Sequence, residues 1–126
     1  MSDLIETQLE DVRRRHPDAL VEHAADGAVL ITIPNFPLPP GWNRRHVRVR
    51  FAAPVGYPVA RPDSFWTDPD LRLDSGALPA NTDTQTPWST AERYLWFSWH
   101  PAYWDPQKDS LATYLGMIDA RFREVR

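Results

Sequence analysis

The chain has no cysteine among its 126 residues, which removes disulfides, thiolate metal sites and thioester chemistry together. It also lacks any apolar run near the roughly 20 residues that span a bilayer. Its start, Met1-Ser2-Asp3-Leu4, does not have the basic-then-apolar order of a secretion signal. A cytoplasmic location without membrane contact is expected. Charge is nearly balanced, with 14 basic residues against 17 acidic ones for a net of -3. No global positive field exists to hold a nucleic-acid backbone, so nucleic acid is not an expected partner. Lysine is reduced to Lys108 alone. The histidines, His16, His23, His46 and His100, are scattered without metal-ligand spacing. No glycine-rich phosphate loop or nucleophile elbow occurs, so neither a metal nor a cofactor is expected.

What is abundant is proline and tryptophan, 13 and six residues respectively, which points to a loop-rich fold around a large aromatic core. The length suits one domain over residues 1–126, held by packing alone. Leu4, Ile5, Leu9 and Val12 recur near helical spacing, Asp3 can cap the first turn and Pro17 stops the pattern. This predicts an amphipathic N-terminal helix from Asp3 to about Arg15, with Arg13, Arg14 and Arg15 suited to the negative end of its dipole. Residues 19–25 and 28–33 flank Asp26-Gly27, the two-residue signal of a tight hairpin, and predict two antiparallel strands. Residues 34–42 are proline-rich. From His46 onward Val47, Val49 and Phe51 alternate with His46, Arg48 and Arg50, predicting a half-exposed third strand. Phe65 and Trp66 mark a short fourth strand, and residues 68–89 show no period and predict a long crossover loop. From Asp109, a good capping residue, Leu111, Tyr114, Leu115, Ile118 and Phe122 define a C-terminal helix. The expected class is therefore α+β: two helices packed on one face of a four-stranded antiparallel meander.

Two local patterns sit at telling places in that order. Pro54, Tyr57, Pro58 and Pro62 form P-x-x-Y-P-x-x-x-P after the third strand, and Trp104 and Pro106 form W-x-P before the last helix. In this arrangement the chain resembles the ubiquitin-conjugating enzyme fold over nearly its whole length. With Leu38-Pro39-Pro40-Gly41-Trp42, Pro62-Asp63-Ser64-Phe65-Trp66 and Phe97-Ser98-Trp99-His100, it looks most like the prokaryotic family-E branch. The prolines and rings themselves are read as structural, since proline fixes φ and large rings bury much area. The resemblance implies a component of bacterial ubiquitin-like conjugation, partnered by a ubiquitin-like protein, an adenylating activating enzyme and often a JAB-type peptidase. Antiphage defence is the process it suggests. ATP would be consumed by the activating enzyme, not by this chain. The scarcity of lysine then reads either as protection from self-modification or as an arginine bias of the source genome.

In such enzymes the acyl-accepting cysteine lies several residues before the W-x-P. The end of that stretch here is Tyr94-Leu95-Trp96-Phe97-Ser98-Trp99-His100. If it is extended, Ser98 and His100 share one face while Phe97 and Trp99 share the other. A serine hydroxyl is a weak nucleophile and needs a base, a task that suits an imidazole with its ordinary pKa of about 6.5. Ser98 and His100 are thus the candidate catalytic pair, Ser98 carrying an oxyester where relatives carry a thioester. His100 can act as base, oxyanion donor or loop latch. The bland alternative is that both bond the backbone of an irregular loop. Asp74, Thr82, Asp83, Thr84 and Thr86 offer other hydroxyls and carboxylates with no spacing to rank them.

Arg13, Arg14 and Trp42 are the candidate partner-binding residues, because the resemblance places the first helix and the Pro-rich loop where such proteins meet their activating enzyme. Trp42 reads equally as a core residue. Two functions stay open. One is a cysteine-less conjugating protein that receives a ubiquitin-like C-terminus through a hydroxyl. The other is a catalytically inactive binding module that positions the ubiquitin-like protein or the activating enzyme. A serine or alanine standing where a natural cysteine stood is a third account of the missing thiol.

Overall fold

A computed structural model of the protein describes residues 3–86 and 92–126. Among these residues lie two helices and six strands: α1 (Asp3–Arg15), β1 (Leu20–His23), β2 (Val29–Pro37), β3 (His46–Ala53), β4 (Phe65–Thr67), β5 (Thr82–Gln85), β6 (Tyr94–Phe97) and α2 (Leu111–Arg123). The strands form one antiparallel sheet in the order β1-β2-β3-β4-β6-β5. The class is α+β, as expected, but the four-stranded meander is corrected to six strands. The reason is physical. β5 reads Thr82-Asp83-Thr84-Gln85 on a sheet edge, so no apolar alternation announces it within the presumed crossover at 68–89. β6 reads Tyr94-Leu95-Trp96-Phe97, an unbroken apolar run with no alternation to mark it as a strand. It inserts between β4 and β5.

Other boundaries move for local reasons. β2 continues past residue 33 to Pro37, because a register shift between Ile33 and Phe36 absorbs Pro34 in a bulge. The first hairpin pairs from His23 and Val29, so residues 24–28 make the connection rather than a two-residue turn. Gly27 takes the positive φ of 98° that this connection requires. At α2 the cap is Ser110, not Asp109: Ser110 Oγ accepts the Thr113 N–H at 3.3 Å while Thr113 Oγ1 accepts the Ser110 N–H at 3.0 Å. Asp109 instead accepts the Asp105 N–H at 2.7 Å, closing the turn after Trp104.

Strand pleating separates two rows of side chains. Phe51, Phe65 and Phe97 are direct cross-strand neighbours in the core, whereas the adjoining row of Arg50, Trp66 and Trp96 is only half-buried. The aromatic row meets α2: Phe65 and Phe97 stack with centroids 4.6 Å apart, and Phe122 meets them edge-on at 5.5 and 5.8 Å. Ile5, Leu9 and Val12 of α1 join Leu111, Tyr114, Leu115, Ile118 and Phe122 of α2 in the same core. Gln8 of α1 ties the first proline-aromatic motif to the start of α2, since its Oε1 accepts the Tyr57 hydroxyl and the Leu111 N–H. The Trp104 indole donates to the Pro58 carbonyl at 2.8 Å.

Candidate functional site

Ser98, Trp99 and His100 follow directly from β6. The Ser98 N–H donates to the Asn81 carbonyl at 3.0 Å, which extends the β5–β6 ladder by one step. Trp99 turns toward the core, its indole N–H donating to the Met117 carbonyl at 3.2 Å and its own carbonyl accepting the Tyr114 hydroxyl at 3.1 Å. The segment is thereby fastened to the sheet on one side and to α2 on the other. Ser98 is left half-buried and His100 exposed.

The polar partner of His100 is Asp63, whose Oδ1 lies 3.1 Å from the imidazole Nδ1. Asp63 precedes β4, and the antiparallel pairing of Phe65 with Phe97 brings the two flanking segments together just beyond the ladder. Among the described residues Ser98 Oγ makes no hydrogen bond to His100. Asp63 also borders a cleft of about 180 Å³ that Arg61, Ser64 and Trp66 help to line. Burial, and secondarily the Asp63 carboxylate, raise the pKa of the Tyr114 hydroxyl, which keeps it protonated as the donor to Trp99. Chemically, the site offers an imidazole oriented by a carboxylate at the surface and, two residues earlier in the chain, a half-buried hydroxyl.

Sequence reasoning singled out Ser98 and His100 and did not single out Asp63, the residue that the structure sets against His100. Only the pairing of β4 with β6 makes them neighbours, and no local pattern carries that information. Of the remaining candidates, Thr82 pairs with Phe97 beside Ser98. Thr82, Asp83 and Thr84 lie on β5, where Thr82 Oγ1 donates to the Pro79 carbonyl at 2.7 Å and Asp83 Oδ1 accepts the Thr84 N–H at 2.8 Å. Thr86 follows β5, and the Asp74 N–H donates to the Gly41 carbonyl at 2.9 Å. Among the described residues no three His, Cys, Asp or Glu side chains converge as metal ligands would, and no helix is long and apolar enough to cross a membrane.

Of the candidate partner residues, Arg13 and Arg14 are exposed at the end of α1, Arg14 lying 3.3 Å from Asp11. Trp42 is not exposed. It is a core residue at 4% relative exposure, donating from its indole to the Phe122 carbonyl at 2.8 Å and meeting the Phe122 ring edge-on at 5.6 Å. A tryptophan in a proline-rich loop gives no sequence sign of which way it turns; here α2 supplies a carbonyl that satisfies its N–H inside.

A family model described as prokaryotic E2 family E matches residues 11–125. No curated protein and no solved structure matches the chain.

Proposed function

We propose, from the premise that this chain belongs to prokaryotic E2 family E, that it is a cysteine-less conjugating protein that accepts a ubiquitin-like C-terminus from an adenylating activating enzyme. The observation that carries this reading is an exposed imidazole, His100, two residues from the Ser98 hydroxyl in a chain without any thiol. Ser98 Oγ attacks the activated acyl carbon, its proton passes to His100, and the activating enzyme's thiolate leaves. The resulting oxyester is less reactive than a thioester and passes its acyl group to an acceptor amine or hydroxyl under His100 catalysis. Ser98 must turn toward His100 when the acyl donor docks, as catalytic hydrogen bonds commonly tighten only in the complex. Residues 1–126 act as one domain in the cytoplasm. The activating enzyme meets the α1 end through Arg13 and Arg14, with Trp42 supporting the neighbouring loop from within. A JAB-type peptidase completes the pathway, and antiphage defence is the process we assign to it.

One observation favours the second reading, a catalytically inactive module that positions the ubiquitin-like protein or the activating enzyme: Ser98 and His100 are not hydrogen-bonded to each other. A single experiment separates the two. The protein is incubated with an activating enzyme and ubiquitin-like protein of the same source and ATP, then weighed intact. A hydroxide-labile adduct on Ser98, lost in Ser98→Ala, supports the enzyme; stable association without an adduct supports the module.

A further inference from the structure

We infer that Asp63 is a positioning residue that fixes His100 in one tautomer and presents its Nε2 to the reacting hydroxyl. The inference rests on the reading of His100 as the base and adds a residue to it. A carboxylate only accepts hydrogen bonds, so the 3.1 Å contact between Asp63 Oδ1 and His100 Nδ1 places the ring proton on Nδ1 in the neutral imidazole. The lone pair is then on Nε2. That atom makes no hydrogen bond among the described residues, and the side chain is 55% exposed, so Nε2 is open to an incoming group.

A purely structural role explains the contact less well. Both side chains are largely exposed, and surface ion pairs add little to stability. The two segments are already held by the stacked Phe65–Phe97 pair and by the Trp99 bonds to α2. What the contact does set is the ring's rotation and its tautomer. In the proposed transfer the hydroxyl oxygen forms a bond to the acyl carbon, the bond to the leaving thiolate breaks, and the hydroxyl proton moves to Nε2. The imidazolium formed stays hydrogen-bonded through Nδ1 to Asp63, and it returns the proton from Nε2 to the departing thiolate.

The test is nitrogen NMR of the labelled imidazole in the intact protein, at a pH where the ring is neutral. Wild type should show a protonated Nδ1 and a bare Nε2 for His100. Asp63→Asn, whose amide can donate to Nδ1, should move the proton to Nε2, and Asp63→Glu should keep it on Nδ1. The Ser98 adduct should then form roughly 100-fold more slowly in Asp63→Asn, with ubiquitin-like protein affinity unchanged and the rate largely restored in Asp63→Glu. Unchanged thermal midpoints keep misfolding out of the comparison. A wild-type ring protonated on Nε2, or an Asp63→Asn variant that switches tautomer at an unaltered adduct rate, overturns the inference. A wild-type protein with the stated tautomer but no adduct overturns the proposed function and upholds the placement of His100 by Asp63.

Discussion

Tyr114 and Trp99 hold each other across the end of the sheet: the Tyr114 hydroxyl donates to the Trp99 carbonyl at 3.1 Å, and the Trp99 indole donates back to the carbonyl of Met117, on the same helix, at 3.2 Å. Trp99 lies between Ser98 and His100 in the chain, so these bonds to α2 govern how firmly the candidate site is presented. Tyr114→Phe keeps the buried ring against Phe51 and deletes only the hydroxyl. The expected cost is about 1 kcal/mol, read as a lowered urea midpoint, because one buried hydrogen bond is lost and the Trp99 carbonyl loses its donor. Amide exchange should accelerate at residues 98–100 beyond this global change. Uniform acceleration along the chain would remove the special link between Tyr114 and this segment.

Arg121 plays a similar part for the C-terminal residues. It is fully buried, and its guanidinium donates to the carbonyls of Glu124 at 2.8 Å, Ala80 at 2.9 Å and Arg126 at 3.0 Å. The rings of Phe97 and Trp99 flank it at 5.2 and 5.6 Å. Arg121→Met preserves much of the apolar stem but leaves three carbonyls without this donor. We expect a loss of about 2 kcal/mol, limited because the tail can peel away and rehydrate its own carbonyls. Limited proteolysis should then remove residues near 124–126 from the variant before it cuts elsewhere. A variant as stable and as resistant as wild type would show that the tail is held by other contacts.

Part of this architecture was legible in the chain. α1 and β3 announce themselves because each buries one face, Leu9 and Val12 at helical spacing and Val47, Val49 and Phe51 at alternate positions. β5 does not, since a polar edge strand has no face to bury. The site was half legible for a related reason. Ser98 and His100 stand two residues apart in the chain just beyond β6, whereas Asp63 reaches His100 only through the pairing of β4 with β6. Spacing also predicts nothing about competition, and the imidazole nitrogen nearest a partner is occupied by Asp63 rather than shared with Ser98.

Gly41 and Val125 provide a test of how tightly the tail packs. Gly41 has φ of 111°, and a Cβ built there would come within 2.6 Å of Val125 Cγ1. Gly41→Ala therefore combines backbone strain with a clash and should cost about 2 kcal/mol. Val125→Ala in the same chain removes the clash but not the strain. The double variant should recover part of the loss, a coupling that a double-mutant cycle in urea measures directly. Strict additivity would mean that Val125 moves aside freely and that strain accounts for the whole effect.

His16 makes stability depend on pH in a direction that can be worked out. Its ring stacks on Phe36 with centroids 5.6 Å apart. Burial lowers its pKa below the ordinary 6.5, Asp18 opposes the shift and Arg15 adds to it. A base with a depressed native pKa binds fewer protons folded than unfolded, so unfolding takes up a proton in the window just below 6.5. Its contribution to stability is fully retained above the unfolded value and is lost as pH falls through 6.5 toward the native pKa. His16→Phe retains a ring for stacking and abolishes this titration. Urea midpoints of both proteins at about pH 7.5 and about pH 5.5, one unit either side of the ordinary value, make the comparison, and the other titrating groups cancel in the difference. Wild type should lose more stability than His16→Phe over that interval. The opposite ordering would require a native pKa raised by Asp18, and would mean that the carboxylate outweighs burial at the end of α1.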